Sequence, residues 1–424
     1  MEAYAKVLSY AIPGFVLLIL VESIIGRRMG IQVNRPMDTI SSLSSGMTNT
    51  LKSIIGLSLV IISYGWMEEQ IGLLDIKSTW LVYMLAFIGL DFAGYWSHRF
   101  NHMVNVFWNR HIVHHSSEEF NLACALRQSI SAFVSIYFFL YIPLALIGIP
   151  AQVVAVVAPL HLFAQFWYHT KLIGKMGFLE HIIVTPSHHR VHHAINPEYL
   201  DKNFSEIFIV WDKLFGTFQE EMPEVPAVYG TKRPSNTWNP IIINFMHIWM
   251  LMKDAWYTRN IWDKIRLWFM PTGWRPDDVK ERFPVMSVED VYNRPKYDTP
   301  SSGYFLAWSW FQLVVNNILL FYLLTQIAAY PFADMVLFSV FLFVSIFSYT
   351  TLMDGHRLAM VTEVVKFVMG LFLYFRFEGW YGIDEILPGG SYSMLAYLGL
   401  SLMATLYFSL TEFNQTKEIS GQVA

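Results

Sequence analysis

Long apolar runs dominate the pattern of hydrophobic and polar positions along this 424-residue chain. An α-helix needs about 20 mostly apolar residues to cross the hydrocarbon core of a bilayer. Runs of roughly that length lie near residues 7–25, 48–66, 80–97, 130–148, 151–169, 305–326, 332–352, 358–375 and 394–411. The sequence therefore predicts an all-α, polytopic integral membrane protein with about nine transmembrane helices.

One long hydrophilic stretch, from about residue 170 to residue 304, interrupts the apolar runs. Its polar residues, prolines and tryptophans predict a helical cap that lies outside the bilayer. We therefore divide the chain into N-terminal transmembrane helices (1–79), a histidine-rich domain (80–220), a cap with its linker (221–303) and a C-terminal transmembrane bundle (304–424).

The positions of Lys and Arg predict how these helices are oriented, because the cytoplasmic flanks of membrane spans keep an excess of cations. With nine spans and the N-terminus outside, the outer segments hold only Lys6, Lys77 and Arg376. The hydrophilic stretch, with many more cations, then lies inside. We therefore expect the cap and the histidine-rich segments to be cytoplasmic.

Composition narrows the classes of function. The 54% of hydrophobic residues and the mean hydropathy of +0.38 agree with a membrane protein. A net charge of −4, with scattered basic residues, argues against a nucleic-acid partner. The single cysteine, Cys124, excludes an intrachain disulfide and a thiolate-rich metal site. Metal ligands would therefore have to be His, Asp or Glu.

Histidines are the strongest chemical signal in the chain. Twelve of the fourteen histidines lie between His98 and His193. They include one HxxxH and two HxxHH motifs, and this spacing places the rings on one face of a helix. One such motif is a weak signal, but three within about a hundred residues indicate a metal site. The motif histidines are His98, His102, His111, His114, His115, His189, His192 and His193.

Eight imidazoles exceed the three to six ligands that one ion takes, so the motifs predict two metal ions. His169, at the end of the fifth predicted span, is a ninth candidate ligand. His161 and His188 are tentative ligands, and His188 points in a different direction from its motif if the segment is helical. The remaining histidines have no partner at ligand spacing and should make ordinary polar contacts; these are His181, His247 and His356.

Asp91 lies seven residues before His98, on the same face of the predicted helix. A carboxylate within an apolar run is costly and should have a partner. Asp91 could accept the N–H of a metal-bound imidazole, which would make it a supporting residue of the catalytic site. The alternative is an ordinary carboxylate near the level of the lipid headgroups.

Spacing alone does not choose the metal, because neutral imidazole suits iron, zinc, copper and nickel. Two metals beside lipid are suited to activating O₂ against an unactivated C–H bond, which is one-electron chemistry that zinc cannot perform. Hydrolytic two-zinc sites often include carboxylates, and none lies within these motifs. These points favour iron. A metal transporter is a remote alternative, because transport sites tend to lie near the bilayer midplane between repeats and this chain shows no repeat.

The three motifs, in this order and spacing, resemble the membrane fatty acid hydroxylase and sterol desaturase superfamily. Segments such as WNRHIVHHSSEEF and TPSHHRVHHAINPEYL resemble its ether-lipid branch, within about residues 80–220. The resemblance implies a diiron, O₂-dependent monooxygenase whose ligands are the eight motif histidines and His169. Related hydroxylases have a further HxxxH before the last motif, and here Gln165 occupies its first position. One imidazole is therefore missing, or is replaced by His161 or water.

The same resemblance implies the substrates. The enzyme would hydroxylate an alkyl chain next to the ether oxygen of an alkylglycerol from the bilayer, releasing a fatty aldehyde, with a tetrahydropterin as the candidate reductant. No residue can be assigned to binding a pterin, so the electron donor stays open. The alternative is a fatty-acyl or sphingolipid hydroxylase, or a sterol-type oxidase or desaturase, on the same site.

Overall fold

The computed structural model describes residues 2–57 and 59–412 and consists almost entirely of helices. Two strands of two residues each, β1 (Leu59–Val60) and β2 (Val134–Ser135), pair in parallel. The helices are α1 (Glu2–Met29), α2 (Pro36–Ile54), α3 (Tyr64–Ile71), α4 (Trp80–Met103), α5 (Asn105–His115), α6 (Ile142–Ile147), α7 (Ala151–Phe163), α8 (Pro186–His193), α9 (Val210–Phe215), α10 (Pro240–Tyr257), α11 (Ile261–Arg266), α12 (Asp277–Arg282), α13 (Gly303–Thr325), α14 (Phe332–Met353), α15 (Leu358–Arg376) and α16 (Gly390–Thr411).

Six helices in the described part of the chain are long and apolar enough to cross a membrane. They are α1 from Lys6 onwards, α4, α13, α14, α15 and α16. These helices support a multi-pass membrane protein, as the sequence predicts. Their number differs from the nine predicted spans, because three of those spans are interrupted.

Each of the three interruptions has a local cause. In 48–66, α2 ends at Ile54, Gly56 takes a φ of 65° that glycine adopts without strain, and helix resumes only at Tyr64. In 130–148, extended and 3₁₀ segments precede the six residues of α6. In 151–169, α7 has 13 residues, or about 20 Å, which is less than the roughly 30 Å of a hydrocarbon core.

α2 is a polar helix buried among apolar ones. Its hydroxyls bond back to the carbonyl four residues earlier, as Ser44 Oγ does to Ile40 O at 2.6 Å. The Ser44 hydroxyl also lies 2.5 Å from the Tyr349 hydroxyl of α14. At the start of α2, Asp38 accepts from Arg127 Nη2 at 2.7 Å. α2 thereby ties the C-terminal helices to the histidine-bearing half of the chain.

The C-terminal bundle of α13 to α16 encloses a buried ion pair. Lys366 Nζ lies 2.7 Å from Glu363 Oε1 and 2.7 Å from Ser401 Oγ. Ser348 Oγ donates to the other carboxylate oxygen of Glu363 at 2.7 Å. Both charged side chains are buried. Because an isolated charge is costly in such a place, each of the two compensates the other.

Replacing Lys366 by Met should destabilise the protein by about 3–5 kcal/mol, because the Glu363 carboxylate then stays buried without a cation. Thermal unfolding in detergent measures the effect. The double variant Lys366→Met/Glu363→Leu should recover much of the loss. Arg376→Gln, which breaks a half-exposed pair with Asp334, should cost less than about 1 kcal/mol. An unchanged Tm in Lys366→Met would contradict the expected cost.

Candidate metal centre

The hairpin of α4 and α5 supplies the first histidines. α4 ends at Met103, and the extended conformation of Val104 (φ −122°, ψ 126°) reverses the chain before α5 begins. The Nε2 atoms of His98 and His111 then lie 2.9 Å apart. Those of His102 and His115 lie 3.2 Å apart. The i, i+4 pair on each helix therefore faces the pair on the other.

α8 brings three more histidines to this hairpin. It begins at Pro186, which suits the first helical position, and Thr185 precedes it in a capping box. His192 Nε2 lies 3.1 Å from His115 Nε2, while His189 Nε2 lies 3.0 Å from His193 Nε2 and 2.9 Å from His169 Nε2. The three histidines of α8 are thus divided between two groups.

The nine histidines gathered in this way form two adjacent clusters. Within each cluster the possible ligand nitrogens all lie within 4.8 Å of one another. The five-histidine cluster is His98, His102, His111, His115 and His192. The four-histidine cluster is His114, His169, His189 and His193. His115 and His193 connect the two clusters, since their rings stack with centroids 4.3 Å apart.

Backbone carbonyls orient four of these imidazoles. The Nδ1 atoms of His98 and His192 lie 2.8 and 3.0 Å from the carbonyl oxygens of Phe204 and Lys202. Those of His114 and His169 lie 3.3 and 3.0 Å from the carbonyl oxygens of Arg127 and Gln165. A carbonyl only accepts, so the hydrogen resides on Nδ1 and the lone pair of Nε2 points inward. Metal-bound histidines commonly have this arrangement.

The four-histidine cluster fits a cation for a specific reason. His114 and His169 both have Nδ1 committed to a carbonyl, and their Nε2 atoms lie 3.3 Å apart. Two lone pairs that face each other at this distance repel unless a cation lies between or beside them. The donor set of neutral nitrogens suits a first-row transition metal.

Burial keeps the imidazoles neutral. It lowers the pKa of His169 from its ordinary value of 6.5 to about 4. Burial, followed by repulsion from neighbouring imidazoles, also lowers the pKa well below 6.5 for His111, His114, His115, His189, His192 and His193. Neutral imidazole is the form that binds a metal, so the clusters are ready to bind at neutral pH.

Asp91 and His161 lie together, outside both clusters. His161 Nε2 donates to Asp91 Oδ1 at 2.8 Å. Asp91 also accepts from the Trp211 indole and the backbone N–H groups of Ile207 and Phe208, at 2.8 to 3.0 Å. The carboxylate that sequence reasoning placed beside a metal-bound imidazole therefore contacts His161, a tentative ligand, which itself joins neither cluster.

Gln165 also points away from the clusters. Its side-chain amide donates to Glu206 Oε2 at 3.1 Å, while its backbone carbonyl is the acceptor for His169. His188 lies at the start of α8, where its Nδ1 accepts from the Thr185 N–H and its Nε2 lies 3.1 Å from Glu180. Neither side chain belongs to the groups that could hold a metal.

Sequence reasoning missed the carbonyls that orient the rings. These carbonyls belong to residues of unrelated types, so no pattern of side chains in the sequence predicts them. One local signal exists, because Asp201 and Asn203 have φ values of 57° and 55° on either side of Lys202. Asp201 Oδ1 additionally lies 3.6 Å from His102 Nδ1.

Comparison with known proteins agrees with this geometry. A family model described as fatty acid hydroxylase matches residues 83–217. The chain is 34% identical to alkylglycerol monooxygenase of Danio rerio, over 98% of this chain and 91% of that protein. It is 36% identical to alkylglycerol monooxygenase of Homo sapiens, over 86% of this chain and 81% of the relative. No solved structure matches the chain.

The matched family and these relatives define an oxidoreductase of the membrane hydroxylase and monooxygenase class. The chain belongs to the alkylglycerol monooxygenase family. The resemblance and the enzyme class predicted from the sequence are thereby confirmed. A more distant similarity, 27% identity over 36% of the chain, relates it to ornithine lipid hydroxylase OlsE of Rhizobium tropici.

The metal-free protein should lose stability as pH falls from about 6.5 towards about 4. The pKa of His169 is about 4 in the folded chain against 6.5 ordinarily, so the unfolded chain binds more protons in this window and acid favours it. Thermal unfolding at stepped pH values, with and without metal, measures the effect. Metal should raise Tm most near neutral pH, where the imidazoles are unprotonated in both states. A Tm of the metal-free protein that does not change across this window would contradict the buried neutral state.

Proposed function

We propose that the two clusters hold two iron ions, one in each. The nine clustered histidines, His98, His102, His111, His114, His115, His169, His189, His192 and His193, would be the ligands. The proposal rests on the convergence of their ring nitrogens in two separate groups. In four of the rings, Nδ1 is hydrogen-bonded to a backbone carbonyl, which directs Nε2 into the cluster. Iron would supply one-electron chemistry with O₂ when it is bound.

The reaction proposed is O₂-dependent hydroxylation of an alkyl chain of an ether lipid. One oxygen atom enters the C–H bond next to the ether oxygen, and the other leaves as water with two electrons and two protons from a reductant. The resulting hemiacetal breaks into the free alcohol and a fatty aldehyde. The names of the relatives support an alkylglycerol as substrate. The resemblance to the ether-lipid branch also suggests a tetrahydropterin as the reductant.

The chain's own residues surround the clusters with aromatic rings. Trp108 lies with its ring centroid 5.0 Å from that of His102, and Phe204 lies 5.2 Å from the same ring. On the other cluster, Phe120 lies 5.3 Å from His193. These rings exclude bulk water, which suits oxidation of an apolar chain. Residues 80–220, which carry both clusters, are the proposed catalytic domain.

We further propose that the histidine end faces the cytoplasm and that the three interrupted segments also cross the bilayer, each as several short pieces rather than as one continuous helix, which makes nine crossings. Two hydrogen bonds support placing helix ends that are distant in sequence on the same side of the membrane. Glu118, three residues after α5, accepts from the Tyr297 N–H at 2.6 Å. Tyr297, near the start of α13, in turn donates to Asp354 at the end of α14 at 3.1 Å. The Lys and Arg bias of the sequence supports the cytoplasm as that side.

Removing one histidine from either cluster should abolish activity and release metal. We choose His114→Ala for the four-histidine cluster and His192→Ala for the five-histidine cluster, with His181→Gln as the control because His181 is exposed and outside both clusters. After anaerobic preparation, wild type and control should contain about two irons per chain, and each cluster variant substantially fewer.

The substrate is tested on the same membranes. Incubation with alkylglycerol, O₂ and a tetrahydropterin should yield fatty aldehyde with wild type and His181→Gln, and none with His114→Ala or His192→Ala. Hydroxylated acyl lipid without aldehyde would instead support the acyl hydroxylase alternative. Full activity in either cluster variant would contradict the assignment of that cluster.

A further inference from the structure

A cavity in the cap carries more positive charge than its own residues neutralise. It has a volume of about 300 Å³ and lies between α10 and the segment after α11. Three cations, Arg233, Lys253 and Arg275, and one carboxylate, Asp254, line it. Arg275 is committed to Asp254, because its Nε and Nη2 donate to the two carboxylate oxygens at 2.6 and 2.8 Å.

Arg233 and Lys253 remain as the uncompensated charges. In the described part of the chain, the Arg233 guanidinium contacts only the sulfur of Met250 by hydrogen bonding, and no carboxylate pairs with it. Burial and the nearby Arg275 lower the pKa of Arg233. Lys253 Nζ lies 5.4 Å from the centre of the Trp249 ring and has no carboxylate partner among the described residues. The one carboxylate of the cavity, Asp254, pairs with Arg275, so the cavity holds two cations more than its own carboxylate pairs with.

The surface beside this cavity has the chemistry of a membrane interface. Along α10, α11 and the residues just after α11, the exposed side chains include Trp249, Trp256, Ile261, Trp262 and Phe269, with 56 to 80% of their surface accessible. Trp and aromatic residues of this kind concentrate at the level of lipid headgroups. A helix with an apolar exposed face and flanking cations lies in the interface plane.

Backbone contacts hold this surface at the end of a membrane-spanning helix. The N–H groups of Asn105 and Val106 donate to the carbonyls of Met270 and Trp268, at 3.0 and 2.9 Å. The N–H of Thr272 donates to the carbonyl of Met103, the last residue of α4, at 3.2 Å. The segment after α11 is therefore hydrogen-bonded to the end of α4, where the surface of a membrane is expected.

We propose that this cavity binds the phosphate group of an anionic phospholipid. The Arg233 guanidinium presents paired N–H donors, which match phosphate oxygens, and Lys253 adds a second charge at the mouth. The acyl chains of the lipid extend along the exposed aromatic row. The site is separate from the histidine clusters, and its occupant need not be the substrate, so the proposal does not depend on the proposed reaction.

Retention of lipid by the purified full-length protein tests the proposal. The protein in neutral detergent is titrated with phosphatidylglycerol and, separately, with phosphatidylcholine of the same acyl chains, and native mass spectrometry counts bound lipids. Wild type should bind phosphatidylglycerol roughly ten-fold more tightly, because the choline cation of phosphatidylcholine offsets the charge of its phosphate and is repelled by the two cations of the cavity. Equal affinity for both lipids would overturn the proposal.

Substitutions of the cations that line the cavity test whether the lipid binds there. Lys253→Gln and Arg233→Gln should each remove most of the preference for phosphatidylglycerol. Arg259→Gln, which removes an exposed cation from the same cap outside the cavity, should keep it. Arg233 is partly buried, so its variant could misfold. We therefore also reverse the charge of the exposed Lys253 with Lys253→Glu. Lys253→Arg, which keeps the charge, is the control and should retain binding. A preference that survives Lys253→Glu would contradict the assignment.

A free phosphate ion has the same recognition chemistry as the lipid headgroup, so a competition experiment distinguishes them. Inorganic phosphate, compared with chloride at equal ionic strength, should leave the bound phosphatidylglycerol in place because it lacks the acyl chains that contact the aromatic row. If inorganic phosphate displaces the lipid at similar concentration, the cavity is a site for a soluble anion and the proposal fails.

Discussion

The structure depends on the burial of nine imidazoles in one place, with their lone pairs directed at two small volumes. Burial of so many polar rings is costly unless each nitrogen has a partner. The outward nitrogens of His98, His114, His169 and His192 find backbone carbonyls. The inward nitrogens face one another, in two groups that could each hold a metal ion. A bound cation, as we propose, would satisfy their lone pairs.

This constraint explains why irregular backbone surrounds the clusters. A continuous helix through Val104 would carry His111 and His115 away from His98 and His102, whereas the break folds α5 back onto α4. The segment after α11 supports the break through backbone hydrogen bonds between Trp268, Met270 and Thr272 and the residues on either side of it. Main-chain hydrogen bonds therefore help to hold the geometry of the site.

The motif spacing was enough to predict which histidines gather, because i, i+3 and i, i+4 place side chains on one side of a helix. It could not predict how they divide. His114 and His115 are adjacent, about 100° apart around α5, and they enter different clusters. It also could not predict that His161 would pair with Asp91, or that Gln165 would contribute its carbonyl. Those contacts depend on α7, α4 and the loop before α9 meeting in space.

The membrane helices show the same limit. The lengths of the apolar runs predicted the six helices that are long enough to span a membrane. They could not show where Gly56, or the short α6 and α7, interrupt an apolar run. The polar helix α2 was divided between a predicted loop and a predicted span, because its buried hydroxyls look like loop residues in the sequence. In the structure several of them bond to carbonyls of the same helix, and Ser44 also contacts Tyr349. Interior polarity of this kind becomes visible only when the neighbouring helices are present.

Iron-edge anomalous diffraction from crystals of anaerobically prepared protein would test the central claim most directly. We expect two iron peaks, one among His98, His102, His111, His115 and His192, and one among His114, His169, His189 and His193. A single peak shared by all nine rings, or a peak at Asp91, His161 and Glu206 in place of either cluster, would contradict a two-iron centre built from these histidines.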